Sequence, residues 1–184
     1  MRRSAPHFLL AAALLLSLTA AADQNDQRLA PLFETLKTTG DLATARAAEV
    51  EIWRIWIDSG DGDIDALMVE GVVAMNNARF ADAITIFGEI TARAPAFAEG
   101  WNKRATAYFL NENYAASVRD IQTTLALEPR HFGAISGMGL IFLTRGDETG
   151  ALAAFEAVVA IHPKSPGARQ RIEELRKRVL ERGA

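Results

Sequence analysis

The chain has 184 residues, 49% hydrophobic and 23% charged, with 20 Lys+Arg against 23 Asp+Glu and no cysteine. That suits one domain or a short repeat array, is too apolar for general disorder, and leaves no room for two large enzyme domains. Without thiols there is no disulfide, thiolate metal site, cysteine nucleophile or cysteine-linked lipid, and a net charge of −3 argues against non-specific nucleic-acid binding.

The amino terminus reads as a leader. Met1-Arg2-Arg3 is positive, Phe8 to Leu18 is an uncharged apolar run, and Ala20-Ala21-Ala22 is followed by the polar Asp23-Gln24-Asn25-Asp26. This is the layout of a secretory signal peptide, and the apolar run is far shorter than the roughly 20 residues that span a bilayer. The expected cut follows Ala22, so 1–22 is a signal peptide and 23–29 a linker. The product is expected to be periplasmic or secreted, with no stable membrane insertion after cleavage and a charge of −5, from 18 basic against 23 acidic residues.

Residues 30–63 predict a helical hairpin, with Phe33 and Leu36 on its first helix and Trp53 and Trp56 on its second. The tryptophans are expected in the core, given how much area an indole buries. Asp58, Asp61, Asp63 and Asp65 follow. A calcium loop would need Gly and Glu where Ala66 and Val72 stand, so capping is the simpler reading, with Asp63 as the cap of a helix beginning near Ile64.

From there a period of 34 organises the chain. It carries Pro95 to Pro129 to Pro163, Gly71 to Ala105 to Gly139, and Ala74 to Tyr108 to Phe142. It also carries Ala83 to Ser117 to Ala151, and Phe87 to Ile121 to Phe155. Within each unit, 64–97, 98–131 and 132–165, apolar residues recur at three and four on either side of a short polar break. That predicts helix, turn, helix and a terminating proline. The small columns let two helix axes approach, and the Phe or Ile one turn on fills the space beside them. Such a hairpin buries its apolar face only by stacking on its neighbours. Residues 166–184 predict a capping helix with an Ile172, Leu175, Val179 stripe, and six basic against three acidic residues. The hairpin at 30–63 carries Lys37 and Glu49 in the small columns and is therefore degenerate.

These columns resemble the tetratricopeptide repeat, with Trp101, Ala105, Tyr108 and Pro129 in the second unit and Gly139, Phe142, Ala151, Phe155 and Pro163 in the third. The departures are Glu70 and Arg104, where the family prefers Leu, and Ile90 and Thr124, where it prefers a small residue. The resemblance implies an all-α, right-handed α-solenoid: three good repeats, the degenerate amino-terminal hairpin and the carboxy-terminal cap. It also implies a concave groove lined by the first helix of each repeat. By position the lining is Met68, Val72 and Met75, then Asn102, Thr106 and Phe109, then Ser136, Leu140 and Leu143. The Lys and Asn pattern with which chaperone-binding members clamp a terminal carboxylate is absent, since Met68, Val72, Thr106 and Leu140 hold those positions.

No catalytic constellation emerges. His131 and His162 lack a matched nucleophile and read as favourable charge near helix ends. The spacing of Gly133 to Ser136 and Gly137 is wrong for a nucleophile elbow, and no strand precedes Gly137-Met138-Gly139 as a phosphate loop would require. The expectation is a non-enzyme with no cofactor and no bound metal. It would act as a periplasmic scaffold holding a peptide or helix of another envelope protein in an apolar groove, with no nucleic-acid partner. The alternative is a structural accessory protein that self-associates through the same surface and supports the envelope. A third possibility is that the chain's own amino-terminal hairpin covers the groove.

Overall fold

A computed structural model describes residues 23–183, with side chains over 24–178. The expected leader, 1–22, lies outside the described residues. Among them are a 3-10 turn at Asp23–Asn25, nine α-helices and no strand. The helices are α1 Leu29–Thr38, α2 Leu42–Ile57, α3 Gly62–Asn76, α4 Phe80–Arg93, α5 Ala98–Leu110, α6 Tyr114–Leu127, α7 Phe132–Thr144, α8 Glu148–Ile161 and α9 Pro166–Gly183. None is long and apolar enough to cross a membrane.

The 34-residue period governs the backbone as well as the core. Ala78, Glu112 and Gly146 occupy one column, and all three adopt left-handed backbone, with φ of 58°, 60° and 75°. Each sits just past the end of a first helix. The following amide reaches back to close the turn: Arg79 N–H to Ala74 O at 2.9 Å, Asn113 to Tyr108 at 2.8 Å, and Asp147 to Phe142 at 2.9 Å. These are Schellman closures, which satisfy carbonyls the helix end would leave bare. In two of the units the closing residue also starts the next helix, Asn113 accepting from Ala116 N–H and Asp147 from Gly150 N–H. Arg79 provides no such side-chain cap.

The small columns bring helices together as expected. Gly71 lies against the Phe87 ring, and a Cβ on Gly139 would meet Phe155 Cζ at 2.9 Å. In the second repeat Ser117 donates to Ala105 O at 2.8 Å across the same contact. Departures from the pattern are matched by partners. Ile90 is accommodated by Gly100, where a Cβ would stand 2.7 Å from Ile90 Cγ2. Arg104 forms a bidentate pair with Asp120 at 2.7 and 2.9 Å, donates to Thr91 Oγ1 at 2.7 Å, and stacks 4.7 Å from the Trp101 ring centroid.

The cap of α3 is Asp61, whose side chain accepts from Asp63 N–H and Ile64 N–H, so the helix begins two residues earlier than the Asp63 reading placed it. Asp65 instead accepts from Ser59 N–H and Oγ. Arg93 lies 3.5 Å from Asp63.

The amino-terminal hairpin departs from a simple stack. Extending the register backwards places it on the 64–97 unit. In the structure α1 and α2 run instead along the edge formed by the loops between repeats. Gln24 donates to Ala96 O at 2.6 Å in the α4–α5 loop. Arg130, in the α6–α7 loop, lies 4.2 Å over the Phe33 ring, and His162, after α8, is 3.3 Å from Glu49. Leu29, Phe33, Leu36, Ile52, Ile55 and Trp56 thereby join Phe132, Phe155, Val158 and Leu175 in one core, while the 64–97 unit has its own around Ile64, Met68 and Phe87. Lys37 and Glu49 stand in the small columns of this hairpin, and Glu49 reaches out of it to His162.

Candidate partner groove

Because the hairpin takes the loop edge, the inner faces of α5 and α7 are left with a cavity between them. Its volume is about 160 Å³, and Asn102, Ala105, Thr106 and Phe109 line it from α5, Ser117 and Ile121 from α6, and Gly133, Ser136, Gly137 and Leu140 from α7. Five of the nine expected lining residues meet here: Asn102, Thr106, Phe109, Ser136 and Leu140. The other four do not. Met68 is buried in the core of its own repeat, with Val72 and Met75 packed on the same cluster, and Leu143 packs on the core shared with the hairpin. The sequence reading missed Ala105, Ser117, Ile121, Gly133 and Gly137. A sign of them was the spacing of Gly133, Ser136 and Gly137, which puts small residues on one face of α7.

The lower end of the groove is fixed by a buried polar group. Glu99 and His131 are 1% and 0% exposed. His131 Nδ1 accepts from Ala134 N–H at 3.1 Å, as the cap of α7. That acceptor role assigns the ring proton to Nε2, which donates to Glu99 Oε2 at 2.9 Å. His131 therefore starts the helix that follows it and does not supply charge at the end of the one before. Glu99 also accepts from Asn102 Nδ2 at 2.8 Å, and the Lys103 ammonium stands 3.0 Å from its Oε1 as an ion pair without hydrogen-bond geometry. Burial raises the Glu99 carboxyl, but His131 and Lys103 outweigh it, and the net shift is downward from 4.5. With its nitrogen held by Glu99, Asn102 has its amide oxygen left to offer a ligand.

The hairpin touches this same corner. Trp56 stacks on His131, with centroids 4.2 Å apart and planes at 8°, and a Cβ on Gly133 would meet Trp53 Cη2 at 2.7 Å. The hairpin thus packs behind His131 and Gly133 at one end of the groove, and Thr106 is exposed and Phe109 and Leu140 half-buried along its length. Trp56 is buried and Trp53 half-buried. His162 takes part in the hairpin contact through Glu49, and no cluster of three His, Asp or Glu that could hold a metal occurs among the described residues.

A helical solenoid with this period and an open inner face belongs to a recognisable class of interaction scaffolds. A family profile described as tetratricopeptide repeat matches residues 68–121 and 111–166. A TPR repeat-containing protein of Rhizobium etli is 37% identical over 155 residues, covering 84% of this chain and 76% of that protein. The chain belongs to the tetratricopeptide repeat family, whose members are generally non-catalytic protein–protein interaction modules. Among solved structures, the Sgt2 TPR domain from Aspergillus fumigatus has a TM-score of 0.62 at 23% identity, covering 67% of this chain and 83% of its own. The first TPR of Spaghetti (RPAP3), bound to the HSP90 peptide SRMEEVD, has a TM-score of 0.60 at 19% identity, covering 64% and 93%.

Proposed function

We propose that this protein is an exported, non-catalytic adaptor that holds a segment of a cell-envelope protein on its inner face. The observation that carries the reading is the cavity between α5 and α7, which the chain's own hairpin borders and leaves unfilled. Export is supported by the charged, apolar and small-residue order of residues 1–22. The partner segment is apolar, because Phe109 and Leu140 flank the cavity and the positions of a carboxylate clamp hold Met68, Val72, Thr106 and Leu140. An acidic tail like the peptide bound to the Spaghetti domain is therefore not the expected ligand. The cavity has room for about one large side chain, beside which Asn102 accepts a hydrogen bond from the incoming chain. Such a contact gains roughly 25 cal/mol per Å² of apolar area buried, and after the cost of association leaves micromolar or weaker affinity.

The test is a photo-crosslinker at the exposed Thr106, used in cells to capture the partner. Replacing Phe109 and Leu140 together with Asp is expected to abolish the crosslink while leaving circular dichroism unchanged. Undiminished capture by the doubly substituted protein overturns the reading.

A further inference from the structure

Every interior repeat of a stacked array is covered on both sides, so its two ends are where unpartnered surface collects. At the start of this stack α3 has lost its expected cover, because α1 and α2 lie along the loop edge. Val69 is 65% and Val73 47% exposed, one helical turn apart, with Ala66 and Glu70 exposed beside them. Among the described residues no helix packs over this strip. Its own charge is acidic: α3 carries Asp63, Asp65 and Glu70 and no basic residue, with Arg93 of α4 3.5 Å from Asp63.

The other end is complementary. The helix α9 begins in register as the first helix of a further repeat, and between it and α8 lies a groove of about 670 Å³. Val159 and Ile172 form its apolar walls, and Arg169, Arg176 and Lys177 stand along it with Glu156 and Glu173. The lining thus holds three basic side chains against two acidic ones, Arg176 pairing with Glu156 at 2.7 Å. The apolar strip of α3 has an acidic border, and the apolar groove beside α9 has a basic one.

We propose that copies of this chain associate head to tail, the α3 face of one seating in the α8–α9 groove of the next. The contact is heterologous: it joins two different surfaces, so each added copy presents a fresh acidic face or a fresh basic groove. A single helix of 15 residues covers less than the roughly 800 Å² per partner of a standard interface, so the association is weak. Its charge complementarity makes it salt-sensitive. It uses neither Phe109 nor Leu140 and stands independently of the adaptor reading.

The experiment is sedimentation velocity on the protein purified as cells process it, over a wide concentration series. The wild-type mass is expected to rise with concentration past the dimer and to fall with added salt. Val69→Lys with Val73→Lys blocks one surface, and Arg169→Glu with Lys177→Glu blocks the other. Each variant alone is expected to remain monomeric, while a mixture of the two forms a 1:1 complex and nothing larger, since one intact face and one intact groove remain. The substituted positions are exposed, and circular dichroism checks that both variants fold. A monomeric wild type overturns the proposal. So does self-association of the Arg169→Glu, Lys177→Glu protein, which would mark a two-fold contact through α3, or of the Val69→Lys, Val73→Lys protein, which would mark one through the groove. The Phe109→Asp, Leu140→Asp protein keeps the wild-type profile.

Discussion

Replacing Trp56 with Ala tests how the hairpin is held. Trp56 is 2% exposed and sits at the centre of an aromatic group, 4.2 Å from His131, 5.1 Å from Phe132, 5.4 Å from Trp53 and 5.8 Å from Phe33 between ring centroids. Truncating a buried aromatic of this size costs about 3–5 kcal/mol, through lost transfer energy and the cavity left behind. The loss falls on one side of the molecule, because the 64–97 unit has a separate core built from its own two helices together with Phe97 and with Ala107 of α5. The expected result is release of α1 and α2 from the loop edge while the 64–97 unit stays folded. Hydrogen exchange reads this directly: amides of α1 and α2 lose protection, and those of α3 and α4 retain it. Urea unfolding followed by circular dichroism gives the magnitude. Trp56→Phe separates packing from shape. Trp56 Nε1 has no hydrogen-bond partner among the described residues, so the smaller ring discards an unsatisfied donor and costs less than Ala, under about 2 kcal/mol. If Trp56→Ala lies within about 1 kcal/mol of wild type with α1 and α2 still protected, the hairpin is held elsewhere and the reasoning fails.

Glu99→Gln leaves the half-buried Lys103 without its carboxylate and weakens the contact to His131 Nε2–H, a loss of about 1–3 kcal/mol in urea titration. Because folding lowers the Glu99 carboxyl from 4.5, its contribution is present above that pH and is lost as pH falls through the depressed folded value; the substitution is expected to flatten that part of the acid-unfolding curve. Ala78→Gly is expected to raise stability by about 0.5–1 kcal/mol, since a left-handed backbone at φ 58° strains Ala and suits Gly, as Gly146 shows in the same column; a loss of stability would contradict the assigned turn.

The parts of the fold that sequence makes legible are set within one repeat. The column of Pro95, Pro129 and Pro163 ends each second helix, and Gly71 or Gly139 against Phe87 or Phe155 fixes the crossing, all within one 34-residue unit. The hairpin's resting place depends on contacts across much greater separation. Glu49 meets His162 113 residues away, and Trp56 meets a loop that the period marks only as a boundary. Local pattern shows there that the small columns fail, and carries no sign of where the helices go instead. His131 illustrates the same limit at one residue. Its position before α7 is legible, but its role comes from Glu99, on a different helix. The groove divides in the same way. Lining positions on α5 and α7 meet because two regular repeats stack, whereas Met68 turns into a core that also takes in Phe97 and Ala107.

The groove and the hairpin contact are one structure. Asn102 lines the cavity and donates to Glu99, and Glu99 accepts from His131, on which Trp56 is stacked. Gly133 lines the cavity from α7 while the Trp53 ring occupies the space its missing side chain would take. An occupant that meets Asn102 and Gly133 therefore rests on residues whose orientation the hairpin fixes. Releasing the hairpin frees Gly133 and, through His131 and Glu99, the Asn102 neighbourhood, so partner capture through Thr106 should weaken in Trp56→Ala even though Trp56 lies outside the cavity. A groove built only from α5 and α7 would capture the same partner with the hairpin released, and that difference separates a shared structure from two adjacent ones.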